Sequence, residues 1–431
     1  LCRWSEGFSQ EDHEMEASLF HLHSSTFAAC RHLDTQPKRL LQAMKNRVVS
    51  SGEKATSLRY NLMELAAEKN DVISLGRGDP DLDTPAEIIE GTWRRMQTTP
   101  SSIPVRGLLE LRRSVANHYQ ITKGLDFDPE QEIIITNGGQ EGLFLTMLAL
   151  VNPGDSVATP DPRYSSYDQA IGAAGGSIVE IPTGKDLRFE LDADDLRQGI
   201  QGAKILVLVN PSNPTGALVR PDGVQRIAEA ARDLDIVVVS DEIYEEVVYD
   251  NQRLLSTVAC DGMRERTVTL SGFSKAYAMT GFRVGYLVGD PAFIDAVERI
   301  KAATSGPCPL LSQNAALTAL EEAPHVPAEF RTIYQRRRDC MTAGLDAMGI
   351  SYGHPGGGLF MWADISPFGV PAEEFCLDVL RQTGVLMFPG KSFGQKWEYF
   401  VRISLLAKEA KITEALERVG DHIEKLRAGT R

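Results

Sequence analysis

The sequence predicts an α/β protein with a mostly parallel sheet and helices on both of its faces, followed by a smaller α+β domain. Strand-like and helix-like runs alternate from residue 132 to residue 270, an order that connects parallel strands through crossover helices. Two of the strand-like runs, residues 205–209 and 236–239, are continuously apolar, as in strands buried on both faces of a parallel sheet. Beyond Arg283 the pattern changes to helices and a few short strands, which predicts the second domain.

The individual elements follow from local patterns. β-branched and other apolar runs that end at a turn predict strands, and apolar positions three or four residues apart predict helices. The predicted strands cover residues 132–136, 156–159, 177–180, 205–209, 236–239, 267–270 and 399–404. The predicted helices cover residues 58–68, 143–150, 221–234, 291–303, 310–320, 372–382 and 408–427, with one more ending near residue 119 and a long one starting near residue 329.

The same patterns predict the domain boundaries. Residues 1–43 show weak periodicity, and we expect them to form a poorly ordered or extraneous N-terminal extension. Residues 44–80 are expected to pack with the small domain. The large domain is predicted over residues 81–325 and the small C-terminal domain over residues 326–431.

Composition argues against several classes of partner. The 431-residue chain has a formal net charge of −14, whereas proteins that bind nucleic acid or anionic membranes without specificity are basic. No apolar run approaches the roughly 20 residues of a membrane helix, and no secretory signal is evident. The six cysteines are scattered without ligand-like pairing. We therefore expect reduced thiols, a cytoplasmic location and no metal site.

Polar side chains follow the ends of three predicted strands. Asn213 stands in a proline-rich turn after residues 205–209, and Asp241 and Tyr244 follow residues 236–239. Lys275 follows residues 267–270, with Arg283 eight positions later. Open α/β sheets bind ligands at the carboxyl ends of their strands, so these side chains are expected to share a site. A lysine amine that forms an imine, beside hydroxyls and a guanidinium that hold a phosphate, suits a phosphorylated aldehyde cofactor.

Three further loops indicate a ligand site only when they are considered together with these strand ends. A glycine turn at residues 137–142 precedes a helix, which is typical of phosphate binding, although neither GxGxxG nor GxxxxGK[ST] spacing is present. Tyr164 follows another strand, where it either stacks on a flat ligand or packs the loop. The glycines of residues 76–80 permit close approach of backbone to a ligand.

The combined pattern resembles a known family. Asn213-Pro214-Thr215-Gly216, Asp241-x-x-Tyr244, and Lys275 with Arg283 eight residues later resemble the fold-type I, class I/II aminotransferases that depend on pyridoxal 5′-phosphate, such as the aspartate and aromatic enzymes. The resemblance runs from about residue 75 to residue 404. It implies a large domain with a seven-stranded-type sheet, transfer of an amino group between an L-amino acid and a 2-oxo acid, and a homodimer with active sites at its interface.

The resemblance also implies residue roles. Lys275 would form the internal aldimine and move the proton at the substrate Cα, and Asp241 would pair with the pyridinium nitrogen. Asn213 and Tyr244 would hydrogen-bond the phenolic oxygen of the ring, and Tyr164 would stack on its face. The phosphate cradle would consist of Gly139, Gln140, Ser271, Ser274 and Arg283, and the substrate would meet Arg402 at its α-carboxylate, with Gly78 and Asn213 nearby. For Gln140 and Ser271, a role confined to the turn explains the residue equally well.

One position departs from the family pattern. Relatives usually carry a tyrosine five residues before the glycine equivalent to Gly107, which reaches the cofactor phosphate of the other subunit, whereas this chain has Ser102. Altered polar contacts around the same cofactor can divert the reaction, so a β-lyase or an oxidase stays open as an alternative. A non-catalytic regulator with this fold is a third hypothesis, which the presence of Lys275 disfavours.

Overall fold

In the computed structural model, which describes residues 53–99, 101–184, 188–200 and 202–427, strands and helices alternate through most of the chain. The strands are β1 (Ile73–Ser74), β2 (Ile133–Thr136), β3 (Ser156–Asp161), β4 (Ser177–Pro182), β5 (Ile205–Val209), β6 (Val237–Asp241), β7 (Thr267–Gly272), β8 (Gly285–Val288), β9 (Ser351–Tyr352), β10 (Phe360–Asp364), β11 (Val385–Leu386), β12 (Phe388–Pro389) and β13 (Phe400–Ser404). The helices are α1 (Glu53–Ala67), α2 (Ala86–Met96), α3 (Leu109–Lys123), α4 (Gly139–Leu150), α5 (Ser166–Ala173), α6 (Ala193–Gly199), α7 (Pro221–Asp233), α8 (Pro291–Thr304), α9 (Leu310–Glu322), α10 (Val326–Met348), α11 (Ala372–Thr383) and α12 (Glu409–Arg427).

A seven-stranded sheet in the order β2-β8-β7-β6-β5-β3-β4 organises the middle of the chain. All neighbouring pairs from β7 to β4 are parallel, and only β8 runs antiparallel to both of its neighbours. Val209 pairs with Asp241, and Asp241 pairs with Leu270, so the carboxyl ends of β5, β6 and β7 lie side by side. The predicted fold class is confirmed, and the register brings the three predicted strand ends together.

The two apolar runs are buried on both faces, as their sequence predicts. In β5, Ile205 and Val207 pack into one hydrophobic cluster, while Leu206 and Leu208 pack into another. Side chains of a strand alternate between faces, so a strand without polar alternation needs cover on both sides.

A second, antiparallel sheet in the order β12-β13-β10-β9 lies near the end of the chain. The early strand β1 pairs in parallel with β11, Ile73 opposite Val385. The described residues between 53 and 427 belong to one compact unit, so the boundaries near residues 80 and 325 stay predictions. The predicted extension over residues 1–43 lies outside the described residues. Within the described ranges, no helix is both long and apolar enough to cross a membrane.

Several short elements are absent from the sequence prediction, and two differences bear on the candidate site. The helix expected from Leu143 begins at Gly139, because apolar periodicity marks the buried face of a helix and not its polar first turn. Strand β8 was not predicted, because four residues directly after a loop carry too little pattern. Its antiparallel direction makes residues 273–284 a connection between two adjacent strands, β7 and β8.

Gly216 lies where the turn after β5 packs closely against strand β10 of the second sheet. Its φ is +72°, and an added Cβ would collide with the carbonyl oxygen of Phe360 in β10. Gly124 has a similar φ of +67° with open space around it. We expect G216A to lower the free energy of unfolding by about 1–3 kcal/mol more than G124A. Both variants place an alanine in the left-handed region, but only the Cβ at position 216 also collides with a neighbouring atom.

Urea unfolding of the two variants would measure this difference. Equal losses in G216A and G124A would show that the turn can move away from β10 without cost.

Candidate active site

A cavity of about 610 Å³ lies at the carboxyl ends of β5, β6 and β7. It brings together eleven of the twelve site residues predicted from the sequence. These are Gly78, Gly139, Gln140, Tyr164, Asn213, Asp241, Tyr244, Ser274, Lys275, Arg283 and Arg402. Parallel strands that end in register therefore place residues from distant parts of the chain around one space.

Lys275 lies in the β7–β8 connection with its amine inside the cavity. Nζ donates a hydrogen bond to the Gly78 carbonyl oxygen at 2.8 Å and lies 3.5 Å from Asp79 Oδ1. Burial lowers the pKa of Lys275, and the charge of Asp79 opposes that effect. A larger fraction of this amine is therefore neutral, and nucleophilic, than in an exposed lysine.

Asp241, the last residue of β6, is a buried carboxylate. Burial raises the pKa of Asp241 to about 6, against the effect of two hydrogen bonds. Oδ2 accepts from the Tyr167 hydroxyl at 2.8 Å, and Oδ1 accepts from the Ile243 amide at 3.1 Å. A cationic N–H donor in the cavity would stabilise the ionised carboxylate further.

Arg402, on β13, carries a buried guanidinium that also lines the cavity. Nη2 donates to the Gly76 carbonyl oxygen at 2.5 Å, and Nη1 donates to Asn213 Oδ1 at 3.1 Å. Nε is buried and has no partner among the described residues. Tyr244 lies nearby, and burial raises the pKa of its hydroxyl. The arrangement leaves Arg402 able to accept an anionic partner from the cavity.

Arg283 faces the first turn of helix α4. Its φ of +53° is unusual for a residue with a side chain, and the guanidinium passes so close to Gly138 that a Cβ there would lie 2.8 Å from Nη2. No carboxylate of the described ranges lies within ion-pair distance of Arg283. The first turn of α4 adds unpaired backbone N–H groups, with Gly139 and Gln140 at the cavity. This corner suits a phosphate dianion.

Ser271 is the predicted residue that the structure does not bring to the cavity. Its buried hydroxyl donates to Glu245 Oε1 at 2.6 Å, whereas the preceding residue, Leu270, lines the cavity. Alternation along β7 sends neighbouring side chains to opposite faces of the sheet, so Ser271 points away from the predicted cradle. Ser102 is exposed and is not among the lining residues.

Sequence reasoning missed several lining residues. Tyr167, which supports Asp241, lies three residues after Tyr164 at the start of α5, and this helical spacing was the available signal. Arg59 comes from helix α1, more than one hundred residues before Tyr164, and no local pattern marks it. Arg77 and Asp79 flank Gly78 and were visible in the loop, but nothing in the sequence shows which way they point.

Comparisons with known proteins agree on one family. Residues 70–419 match the family model of aminotransferase class I and II. The aromatic-amino-acid aminotransferase 2 of Thermococcus litoralis is 34% identical, over 83% of this chain and 93% of its own. The aspartate aminotransferase of Pyrococcus abyssi is also 34% identical, with the same coverage of 83% and 93%. The crystal structure of an aromatic aminotransferase from Pyrococcus horikoshii matches with a TM-score of 0.80 and 33% identity, over 85% of this chain and 99% of that chain.

The hydrogen bond from Tyr167 to Asp241 leads to a prediction about pH. A donor to the carboxylate favours the ionised form, so Tyr167→Phe should raise the pKa of Asp241 above its value of about 6. Asp241 in this variant should then take up its proton at higher pH than in the unaltered protein.

Infrared titration of the protonated carboxyl band, assigned with D241N, would follow this change. Tyr249→Phe is the matched control, since that hydroxyl donates to the Gly358 carbonyl oxygen. An unchanged titration in Y167F would mean that the hydroxyl does not govern the charge of Asp241.

Proposed function

The chain belongs to the class I and II aminotransferases, and from this premise we propose that it uses pyridoxal 5′-phosphate to move an amino group between an L-amino acid and a 2-oxo acid. The observation that supports this most directly is the composition of the cavity. The Lys275 amine, the Asp241 carboxylate and the guanidinium groups of Arg283 and Arg402 all face the same 610 Å³ space.

Three parts of the cavity fit the cofactor. Arg283 has no carboxylate partner among the described residues and stands beside the N-terminus of α4, with Ser274 nearby, so this corner would hold the phosphate. Asp241 is a buried acceptor for the ring N–H, and its bonds to Tyr167 and Ile243 fix the direction of its lone pairs. The Lys275 amine lines the same cavity and would react with the aldehyde.

Pyridoxal 5′-phosphate, when bound, supplies an aldehyde carbon for the amine and a ring that withdraws electrons from the substrate Cα. The residues of the chain supply position and proton transfer. Arg402 would bind the α-carboxylate through its unpartnered Nε edge, which directs Cα towards the cofactor. Lys275 Nζ would then take the proton from Cα, a task that its lowered pKa favours.

Four other residues would orient the ring and the substrate. Tyr164 would stack on the ring face, and Asn213 and Tyr244 would hydrogen-bond its phenolic oxygen. Asn213 already accepts from Arg402, so it would link the cofactor to the substrate carboxylate. The backbone of Gly78 would lie close to the substrate. Its carbonyl oxygen accepts a hydrogen bond from Lys275 Nζ.

We also propose a homodimer in the cytoplasm. In relatives the residue at the position of Ser102 acts across the dimer, and in this chain the serine is exposed. The described cysteines Cys260, Cys308, Cys340 and Cys376 are free thiols, which suits a reducing compartment.

A β-lyase or a PLP-dependent oxidase is the second candidate function. One feature favours it, the short Ser102 side chain in place of the tyrosine of relatives. A non-catalytic regulator is disfavoured, since a structural role would not require the largely buried side chain of Lys275 to place its amine at the cavity.

Lys275→Ala tests the proposed chemistry directly. Loss of the amine should slow amino transfer at least about 100-fold, the scale of one general base. Borohydride reduction of the cofactor-loaded protein, followed by mass spectrometry, should attach the cofactor to the peptide that contains Lys275 and to no peptide in the variant. Lys204→Ala, at an exposed lysine outside the cavity, is the control and should retain activity. Normal turnover in K275A would overturn the proposal.

The balance of amino groups separates transamination from its alternatives. We expect each molecule of amino acid consumed to give one molecule of new amino acid from an added 2-oxo acid, without ammonia, peroxide or oxygen uptake. Ammonia released with a 2-oxo acid would indicate β-elimination, and oxygen uptake with peroxide would indicate oxidation. Comparison with S102Y would show whether the serine causes any such diversion.

A further inference from the structure

Helix α1 contributes a cation to the cavity that the proposed chemistry does not use. Arg59 and Met63 are one helical turn apart, and both line the cavity. The proposed function assigns Arg283 to the cofactor phosphate and Arg402 to the substrate α-carboxylate. Arg59 is left without a role.

Arg59 is held in place but is not neutralised. Nη2 donates to the Ser165 hydroxyl at 2.7 Å, and the guanidinium carbon lies 5.6 Å from the centroid of the Phe393 ring. None of the carboxylates in the described ranges lies within 4.0 Å of it. Burial lowers the pKa of Arg59, which means that its charge is incompletely compensated. An anionic ligand would supply the missing compensation.

Arg59 and Arg402 both lie against the aromatic ring of Phe393. The Arg402 guanidinium carbon lies 4.6 Å from the Phe393 centroid, so the two carbons are separated by no more than the sum of that distance and the 5.6 Å of Arg59. Burial lowers the pKa of Arg402 to about 9, and the charge of Arg59 contributes to the same lowering. Two like charges at such a separation are best balanced by one ligand with two anionic ends.

The remaining charges of the cavity point the same way. Its cations are Arg59, Arg77, Lys275, Arg283 and Arg402, against the two carboxylates Asp79 and Asp241. Of the two carboxylates, Asp79 is the one that lies within ion-pair distance of Lys275. Arg77 is exposed and hydrated by water. It therefore acts on a ligand through its electrostatic field more than through direct contact. These cations exceed the carboxylates by three charges, so a bound phosphate dianion leaves one positive charge uncompensated. A zwitterionic monocarboxylic amino acid would not change that charge, whereas a dicarboxylic amino acid, with one net negative charge, would balance it.

We propose that Arg59 binds the side-chain carboxylate of a dicarboxylic amino acid, and of the matching dicarboxylic 2-oxo acid. This inference rests on the proposed function and names its substrate class. The α-carboxylate lies on Arg402, and the distal carboxylate replaces water at Arg59, whose Ser165 bond and Phe393 contact hold it in position.

Glutamate and glutamine provide the test, because they match in size and differ in charge. The unaltered enzyme should use glutamate with a kcat/KM about 10- to 100-fold above that for glutamine, the scale of one charge-assisted hydrogen bond. Arg59→Gln should bring this ratio close to one and leave the value for glutamine nearly unchanged. Arg226→Gln removes the same charge at an exposed helix position outside the cavity and should preserve the ratio.

A binding measurement gives a second readout without turnover. By calorimetry, the cofactor-loaded enzyme should bind glutarate at least about tenfold more tightly than butanoate, and R59Q should lose that difference. Both comparisons are ratios within one preparation, so the fraction of folded protein cancels. The comparison in the unaltered enzyme needs no variant, which keeps the inference testable if R59Q folds poorly.

The outcomes separate the inference from the function on which it rests. Turnover of glutamine or alanine without preference for glutamate would overturn the role of Arg59 alone. An equal fall for both substrates in R59Q would mean that Arg59 binds the α-carboxylate with Arg402, which also overturns it. If the loaded enzyme converts no amino acid at all, the proposed function fails and the inference fails with it.

Discussion

The buried guanidinium of Arg402 is the constraint around which the site is built. A charge taken out of water is costly unless it is paired, and this one has no carboxylate partner among the described residues. Its compensation comes from the Gly76 carbonyl oxygen, from Asn213 Oδ1 and from the faces of Phe360 and Phe393, at 4.1 and 4.6 Å. These partners belong to the loop after β1, the turn after β5 and the second sheet. An anionic ligand completes the set, so binding and structural cohesion depend on the same cation.

The register of the large sheet supplies the second constraint. Parallel pairing aligns the ends of β5, β6 and β7, and the reversal at β8 turns residues 273–284 into a loop above that edge. Lys275 and Arg283 both lie in this loop, which explains how the amine proposed to bond the cofactor and the guanidinium proposed to bind its phosphate can be only eight residues apart in the sequence. The helix that starts at Gly139 then faces the same corner from the neighbouring strand.

Charge is distributed unevenly between the cavity and the rest of the chain. The whole sequence carries a formal net charge of −14, yet cations outnumber carboxylates around the cavity. A concave site of opposite sign to its surroundings concentrates anionic ligands where they are needed. The proposed cofactor phosphate and the two carboxylates of the proposed substrate are anions of the kind that such a site attracts.

The sequence by itself determined the fold class and named eleven of the residues that line the candidate site, because buried parallel strands have unbroken apolar runs and their ends carry the polar residues. It could not place Ser271, whose position depends on which face of β7 each residue occupies, and alternation sent that hydroxyl to Glu245. It could not find Arg59 or the support that Tyr167 gives to Asp241. Those contacts join segments far apart in the chain, and only the tertiary placement of helices α1 and α5 around the cavity decides them.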